Sequence, residues 1–281
     1  MNAPALNIEA AAGAAPIVAL PMYDFPELRD ANAALWDALR TPLLAHGVAA
    51  PLDLARPADL EDLWRDSQLL LAQTCGYPLM TGLRGAVQLV ATPRYRAPGS
   101  EGPFHRSAII VAATRDAERL VELRGSRAAL NSWTSNTGMN LLRAAVSEVA
   151  GGQPFFSDVS VTGSHLASLT AVAEGRADLA AIDNVTYAQI CRLSPDLAAG
   201  VRNLQWTAST PGLPLVTSAG TPPTTLRALR RALQATVTNP ALAAVRRELL
   251  IDGFCVLPAR NYGEVLQLEH AAIARGYPVL A

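Results

Sequence analysis

Residues 158–187, DVSVTGSHLASLTAVAEGRADLAAIDNVTY, decide the fold. Val159 and Val161 alternate as in a short strand, and Thr162, Gly163 and Ser164 form a turn. His165 then opens a helix whose apolar residues Leu166, Leu169, Val172 and Ala173 recur at helical spacing. Gly175 ends it, and Asp178 to Ile182 is a second apolar strand that delivers Asp183 and Asn184 at its end. The unit is βαβ. Its polar residues Ser164, His165 and Asp183 stand where strands end and helices begin, the edge at which open α/β sheets bind ligands.

Outward from this unit, strands and helices keep alternating. Strands are expected at 17–20, 47–54, 67–73, 86–92, 107–114, 127–131, 201–207 and 215–218, with 93–106 as a loop. Helices are expected after Asp24, over 57–64, from Met139 to Val149, over 185–193, and as three helices in the tail after Thr221. Alternation of this kind predicts an α/β fold with a largely parallel sheet. The block 111–207 is complete in itself, whereas the tail needs the N-terminal block to cover it. The expected domains are therefore a discontinuous first lobe, 17–110 plus 208–281, and a second lobe, 111–207. The chain crosses between them near 108–112 and 207–214, leaving an interlobe cleft that closes by hinge motion.

Half of the 281 residues are hydrophobic and 17% are charged, which supports a sizeable core. The net charge of −1 with dispersed basic residues excludes an electrostatic footprint for nucleic acid. No apolar run is long enough to span a bilayer, so no membrane insertion is expected. Cys75, Cys191 and Cys255 are too scattered for a zinc or disulfide framework. Residues 1–16 lack a basic n-region and a strong apolar core, so they read as a disordered leader and a poor secretory signal.

A second corner, Ser135-Asn136-Thr137-Gly138, places hydroxyls and free amides at another helix start. Helix starts attract anions through unpaired N–H groups and the helix dipole. Tyr23 and the Cys75-Gly76-Tyr77 turn add possible donors from the opposite lobe. The inferred ligand is a small tetrahedral oxyanion. Plainer roles stand beside these: Ser135, Thr137 and Asp183 as helix caps, His165 as a surface histidine, Tyr23 and Tyr77 as packing aromatics, Cys75 and Met139 as core residues.

The segments SNTGMNLL (135–142), VTGSHLASLTAVAEGRADLAAID (161–183), TCGYPLMT (74–81) and PGLPLVTSA (211–219) together resemble the PhnD-like phosphate, phosphite and phosphonate-binding proteins of ABC transporters. The resemblance covers about 17–270. It implies a two-lobed type II periplasmic-binding-protein fold with a ligand cleft between lobes and two crossover segments. It implies a solute-binding protein rather than an enzyme, with no cofactor and no metal, a periplasmic setting, and an ABC permease as partner. It implies ligand contacts from Ser135, Asn136, Thr137, Ser164, His165 and Asp183, with Tyr23 and Tyr77 as first-lobe aromatics. Asn136 departs from the family pattern where a second small hydroxyl residue is expected, and Met139 where an aromatic is. The alternatives are a cytosolic enzyme on the same fold, using Ser164 or Ser135 with His165 and Asp183, and a ligand sensor read by a partner protein.

Overall fold

A computed structural model describes residues 15–281. The leader expected at 1–16 lies outside these residues up to position 14. The strands in chain order begin with β1 (Ile17–Ala19), β2 (Leu69–Gln73), β3 (Val87–Tyr95), β4 (Ser100–Glu101) and β5 (Phe104–His105). They continue with β6 (Ser107–Ala112), β7 (Arg127–Leu130), β8 (Asp158–Val161), β9 (Leu179–Asp183), β10 (Val201–Trp206), β11 (Thr210–Pro211), β12 (Leu215–Ser218) and β13 (Ile251–Cys255). Two five-stranded sheets result, ordered β1-β2-β12-β3-β13 and β10-β6-β9-β7-β8. A short third sheet, β11-β5-β4, pairs the two segments that connect them.

The expected parallel character holds only in part. β1 with β2, and β7 with β8 and β9, are parallel. Pairings of β12 with β2 and β3, β13 with β3, and β6 with β9 and β10 are antiparallel. The reason is the double crossing: β12 and β6 arrive from the other sheet and enter against the local chain direction. β6 belongs wholly to the second sheet, so the first crossing lies ahead of Ser107.

The helices are α1 (Arg29–Ala45), α2 (Leu60–Arg65), α3 (Gly76–Met80), α4 (Leu141–Ala150), α5 (His165–Ala173), α6 (Asn184–Leu193), α7 (Pro195–Ala199), α8 (Pro223–Thr238), α9 (Ala243–Glu248) and α10 (Gly263–Ala274). Leu28, Ala31, Leu35 and Leu39 face the first core with Leu229 and Leu233, as their 3.6-residue spacing requires. Leu142 and Val146 of α4 face a second core with Leu130, Leu179 and Phe155. None of these helices is long and apolar enough to cross a membrane.

Three sequence expectations are corrected. Residues 47–54 form no strand, because α1 takes their carbonyls: Trp36 Nε1 donates to Pro51 O and Arg40 Nε to Ala50 O. The loop 93–106 is largely ladder, holding the end of β3 and all of β4 and β5. The tail holds a strand besides its helices, since β13 pairs with β3. Gly253 hides that strand in the sequence. A Cβ there would lie 2.6 Å from Arg94 Nη2, so glycine admits a close side-chain crossing that an alternating pattern would block.

Candidate functional site: an interlobe cleft

Three strand ends of the second sheet converge on one cavity of ≈ 360 Å³. Tyr23, Cys75, Leu60 and Trp64 line it from the first lobe, and Ser135, Thr137, His165 and Asp183 from the second. After β7 the backbone widens into a π-helical turn, Asn136–Asn140, before α4 begins. Ser135 precedes it in extended conformation, and its Oγ accepts from Gly138 N at 2.9 Å. With its lone pair so used, the hydroxyl proton remains free to donate. Thr137 Oγ1 lies 2.9 Å from His165 Nε2, which ties the two corners together.

The second corner turns at Gly163, whose φ of +88° suits glycine. Ser164 caps α5, its Oγ accepting from Ala167 N at 3.1 Å. At the third corner Asp183 caps α6. Its Oδ1 accepts from Val185 N and Thr186 N, each at 3.0 Å, and its Oδ2 has no hydrogen-bond partner. Tyr23 from the first lobe packs edge-on against Tyr95, with ring centroids 5.3 Å apart, and its buried hydroxyl is unpartnered. Cys75 Sγ accepts from Asn136 N at 3.2 Å, a contact between the two halves of the cleft.

Burial governs the protonation of these groups. It lowers the pKa of His165, against an opposing pull from Asp183, so the ring is neutral at neutral pH. Burial, and then the Asp183 carboxylate, raise Tyr23 well above the usual phenol range. Burial likewise raises the Cys75 thiol, against backbone N–H groups that lower it. The cleft thus offers uncharged donors around the buried Asp183 carboxylate, with Asp59 and Glu61 also on its lining from the first lobe, and among the described residues no Arg lines it.

Five of the eight residues expected from the sequence meet in or beside this cavity as anticipated, namely Tyr23, Ser135, Thr137, His165 and Asp183. The other three serve elsewhere. Ser164 caps α5 but is exposed and lies off the cavity lining. Tyr77 turns onto α10, its hydroxyl donating to Glu269 Oε1 at 2.7 Å. The Asn136 side chain donates to Thr210 Oγ1 at 3.1 Å and accepts from Asn140 Nδ2 at 3.0 Å. Asn140 Oδ1 in turn accepts from Arg143 Nη2, which also pairs with Glu269. This polar chain explains both Tyr77 and Asn136 as structural links between the helix behind the binding loop, the C-terminal helix and the crossover. The hydroxyls of Ser135 and Ser164 accept from backbone amides and the imidazole pairs with Thr137, so neither serine is hydrogen-bonded to His165.

Sequence reasoning missed Asn131 and His105. Asn131 Oδ1 is buried, unpartnered and lies against Gly138, where a Cβ would come within 1.9 Å of it. His105 stands behind Asp183, with Nδ1 3.4 Å from Oδ2. Its only sequence signal is a histidine next to the strand β6 in a segment that read as a loop.

Comparison with known proteins follows the same lines. The sequence model of a family described as ABC transporter, phosphonate, periplasmic substrate-binding protein matches residues 17–262. A binding protein component of an ABC phosphonate transporter from Pseudomonas aeruginosa is similar with 15% identity and a TM-score of 0.74, over 93% of this chain and 88% of that one. PhnD1 from Prochlorococcus marinus, in complex with methylphosphonate, gives 12% identity and a TM-score of 0.73, over 91% and 97%. A Xanthomonas citri protein bound to ATP gives 16% and 0.69, over 93% and 98%. At such identities the likeness is one of fold. No curated protein matches the chain.

Proposed function

The chain belongs to the phosphonate-binding family of periplasmic ABC-transporter substrate-binding proteins, and from that premise we propose that its cleft captures a small phosphonate-type oxyanion. One observation carries the reading. Tyr23 Oη, His165 Nδ1, Asn131 Oδ1 and Asp183 Oδ2 are buried without partners, and the residues that bear them line one cavity from both lobes. Native proteins rarely leave such groups orphaned, because each costs about 1–3 kcal/mol. A singly protonated tetrahedral oxyanion satisfies Tyr23 Oη, His165 Nδ1 and Asp183 Oδ2. Its oxygens accept from Ser135, Tyr23 and His165 Nδ1–H, the Thr137 hydroxyl donates to His165 Nε2 and so fixes that tautomer, and a protonated oxygen donates to Asp183 Oδ2.

Neutral donors suit this task. They bind an anion without the desolvation cost of a buried guanidinium, and the neighbouring carboxylate favours a ligand that keeps one proton. Closure of lobes 17–106 and 211–281 over 107–210 keeps Tyr23 and Cys75 against the second-lobe corners, as the Asn136 N to Cys75 Sγ contact already does. The loaded, closed form is what an ABC permease would receive in the periplasm.

Isothermal calorimetry with methylphosphonate, phosphite and phosphate tests the reading. Saturable binding tighter than millimolar by at least one of them is expected. A thermal midpoint that rises with ligand concentration should accompany it. Failure of all three would remove the ligand assignment and leave the fold untouched.

A further inference from the structure

His105 is the group that Asp183 faces on its buried side. It lies on β5, 2% exposed, between its ladder partners Ser100 and Thr210. Nδ1 approaches Asp183 Oδ2 to 3.4 Å, and neither ring nitrogen has a hydrogen-bond partner. Asp183 is equally divided: the α6 amides hold Oδ1, and Oδ2 is left between the imidazole and the cleft. Here both ring nitrogens are buried and unpaired, and a neutral imidazole carries a single N–H, so only the imidazolium places an N–H at Nδ1 towards Asp183 Oδ2 and at Nε2 together.

The surroundings allow that proton on His105. Burial lowers its pKa and Asp183 raises it. His165, on α5, is the second imidazole near Asp183, and each charged ring would disfavour the other. Tyr23, across Asp183, stays protonated. Arg106, next in the chain, turns its guanidinium to Thr207 O. Ser100, Thr210 and Asn184 carry no charge. Placing an anion beside Asp183 adds negative potential at His105 and shifts the balance towards the imidazolium.

Resting on the assignment of the cleft to an oxyanion, we propose that His105 is a positioning residue that makes capture proton-coupled: when the anion enters, His105 takes one proton from solvent and donates Nδ1–H to Asp183 Oδ2. The imidazolium counterbalances the Asp183 charge, which fixes the carboxylate for the ligand and offsets the repulsion between two anions. Proton uptake then appears in the binding equilibrium, and affinity weakens with rising pH.

Calorimetry with methylphosphonate near pH 7.5, in buffers of different ionisation enthalpy, measures the proton count. Uptake in the wild-type protein should exceed that in His105→Gln by about one proton per site, which is about a tenfold difference in affinity per pH unit. The ionisation of methylphosphonate is common to both proteins and cancels. Imidazole ¹⁵N NMR on the wild-type protein gives a readout independent of the variant, because the chain has only four histidines. The His105 signals should pass from neutral to imidazolium on saturation. Equal uptake in the two proteins, or a His105 that stays neutral while His165 charges, would overturn the proposal. If methylphosphonate, phosphite and phosphate all fail to bind the wild-type protein, the oxyanion assignment falls and this inference with it. Binding without uptake removes this inference alone.

Discussion

Thr137 Oγ1 and His165 Nε2 lie 2.9 Å apart and join two helix starts 28 residues apart in the chain. The bond holds the imidazole in the wall of the cleft and leaves Nδ1 as its unpaired atom. It also sets the distance between the two corners, so the cleft has a defined shape before any ligand arrives.

Thr137→Val keeps the volume and deletes the hydroxyl. The effect acts through His165: Nε2 loses the donor that anchors the ring and fixes its Nδ1–H tautomer. Affinity for methylphosphonate is expected to fall about 10-fold, corresponding to about 1.4 kcal/mol. Calorimetry reads this directly, and an unchanged dissociation constant would show that the hydroxyl plays no part.

Gly138→Ala should damage the site through packing. Its Cβ would lie 1.9 Å from Asn131 Oδ1 and 3.2 Å from His165 Cε1. Both side chains line the cleft, so relief of the clash displaces them. A stability loss of about 1–3 kcal/mol by chemical denaturation is expected, together with loss of binding. Full retention of both would mean that the turn relaxes freely.

Tyr77→Phe separates structure from recognition. It removes the bond to Glu269 at the start of the chain through Arg143, Asn140 and Asn136. The expected cost is about 0.5–1.5 kcal/mol of stability, with affinity within about twofold of the wild-type value. A large affinity loss without destabilisation would restore Tyr77 to the ligand site.

Asp183→Asn retains an acceptor for the Val185 and Thr186 amides, so the α6 cap survives and the thermal midpoint should move little. The free oxygen becomes an NH2 donor. Preference should therefore move from the singly protonated oxyanion to the fully ionised one. Relative to the wild-type protein, methylphosphonate binding weakens at pH 6 and strengthens at pH 8.

Stability of the ligand-free protein should fall on the acid side of neutrality. His105 and His165 both have depressed pKa values in the folded state. Between those values and the unfolded value of about 6.5, the unfolded chain binds more protons, so stability drops as pH falls through that window. Denaturation midpoints at pH 7.5, 6.5 and 5.5 check this. His105→Gln should flatten the profile, and a profile that rises towards acid would contradict the assignment of both rings as neutral.

How far the sequence reaches is clear from particular residues. The corners at Ser135, His165 and Asp183 were legible because strand ends, turn glycines and helix caps are local signals. That these corners meet followed from the βαβ pattern of 158–187, which places successive helix starts on one sheet edge. The side chains of Tyr77 and Asn136 are drawn to Glu269 and Thr210, partners 192 and 74 residues away that local sequence does not reveal. β13 was hidden by Gly253, and β4 and β5 by their two-residue lengths.

The sequence by itself determined the α/β class, the two-lobed arrangement and the polar corners at Ser135, His165 and Asp183, since each depends on periodicity and capping within a few residues. Only the tertiary structure decided strand direction at the double crossing, the withdrawal of Tyr77, Asn136 and Ser164 from the cleft, and the placing of His105 behind Asp183. Those outcomes depend on which distant groups satisfy which buried donors and acceptors, and local sequence carries no record of that pairing.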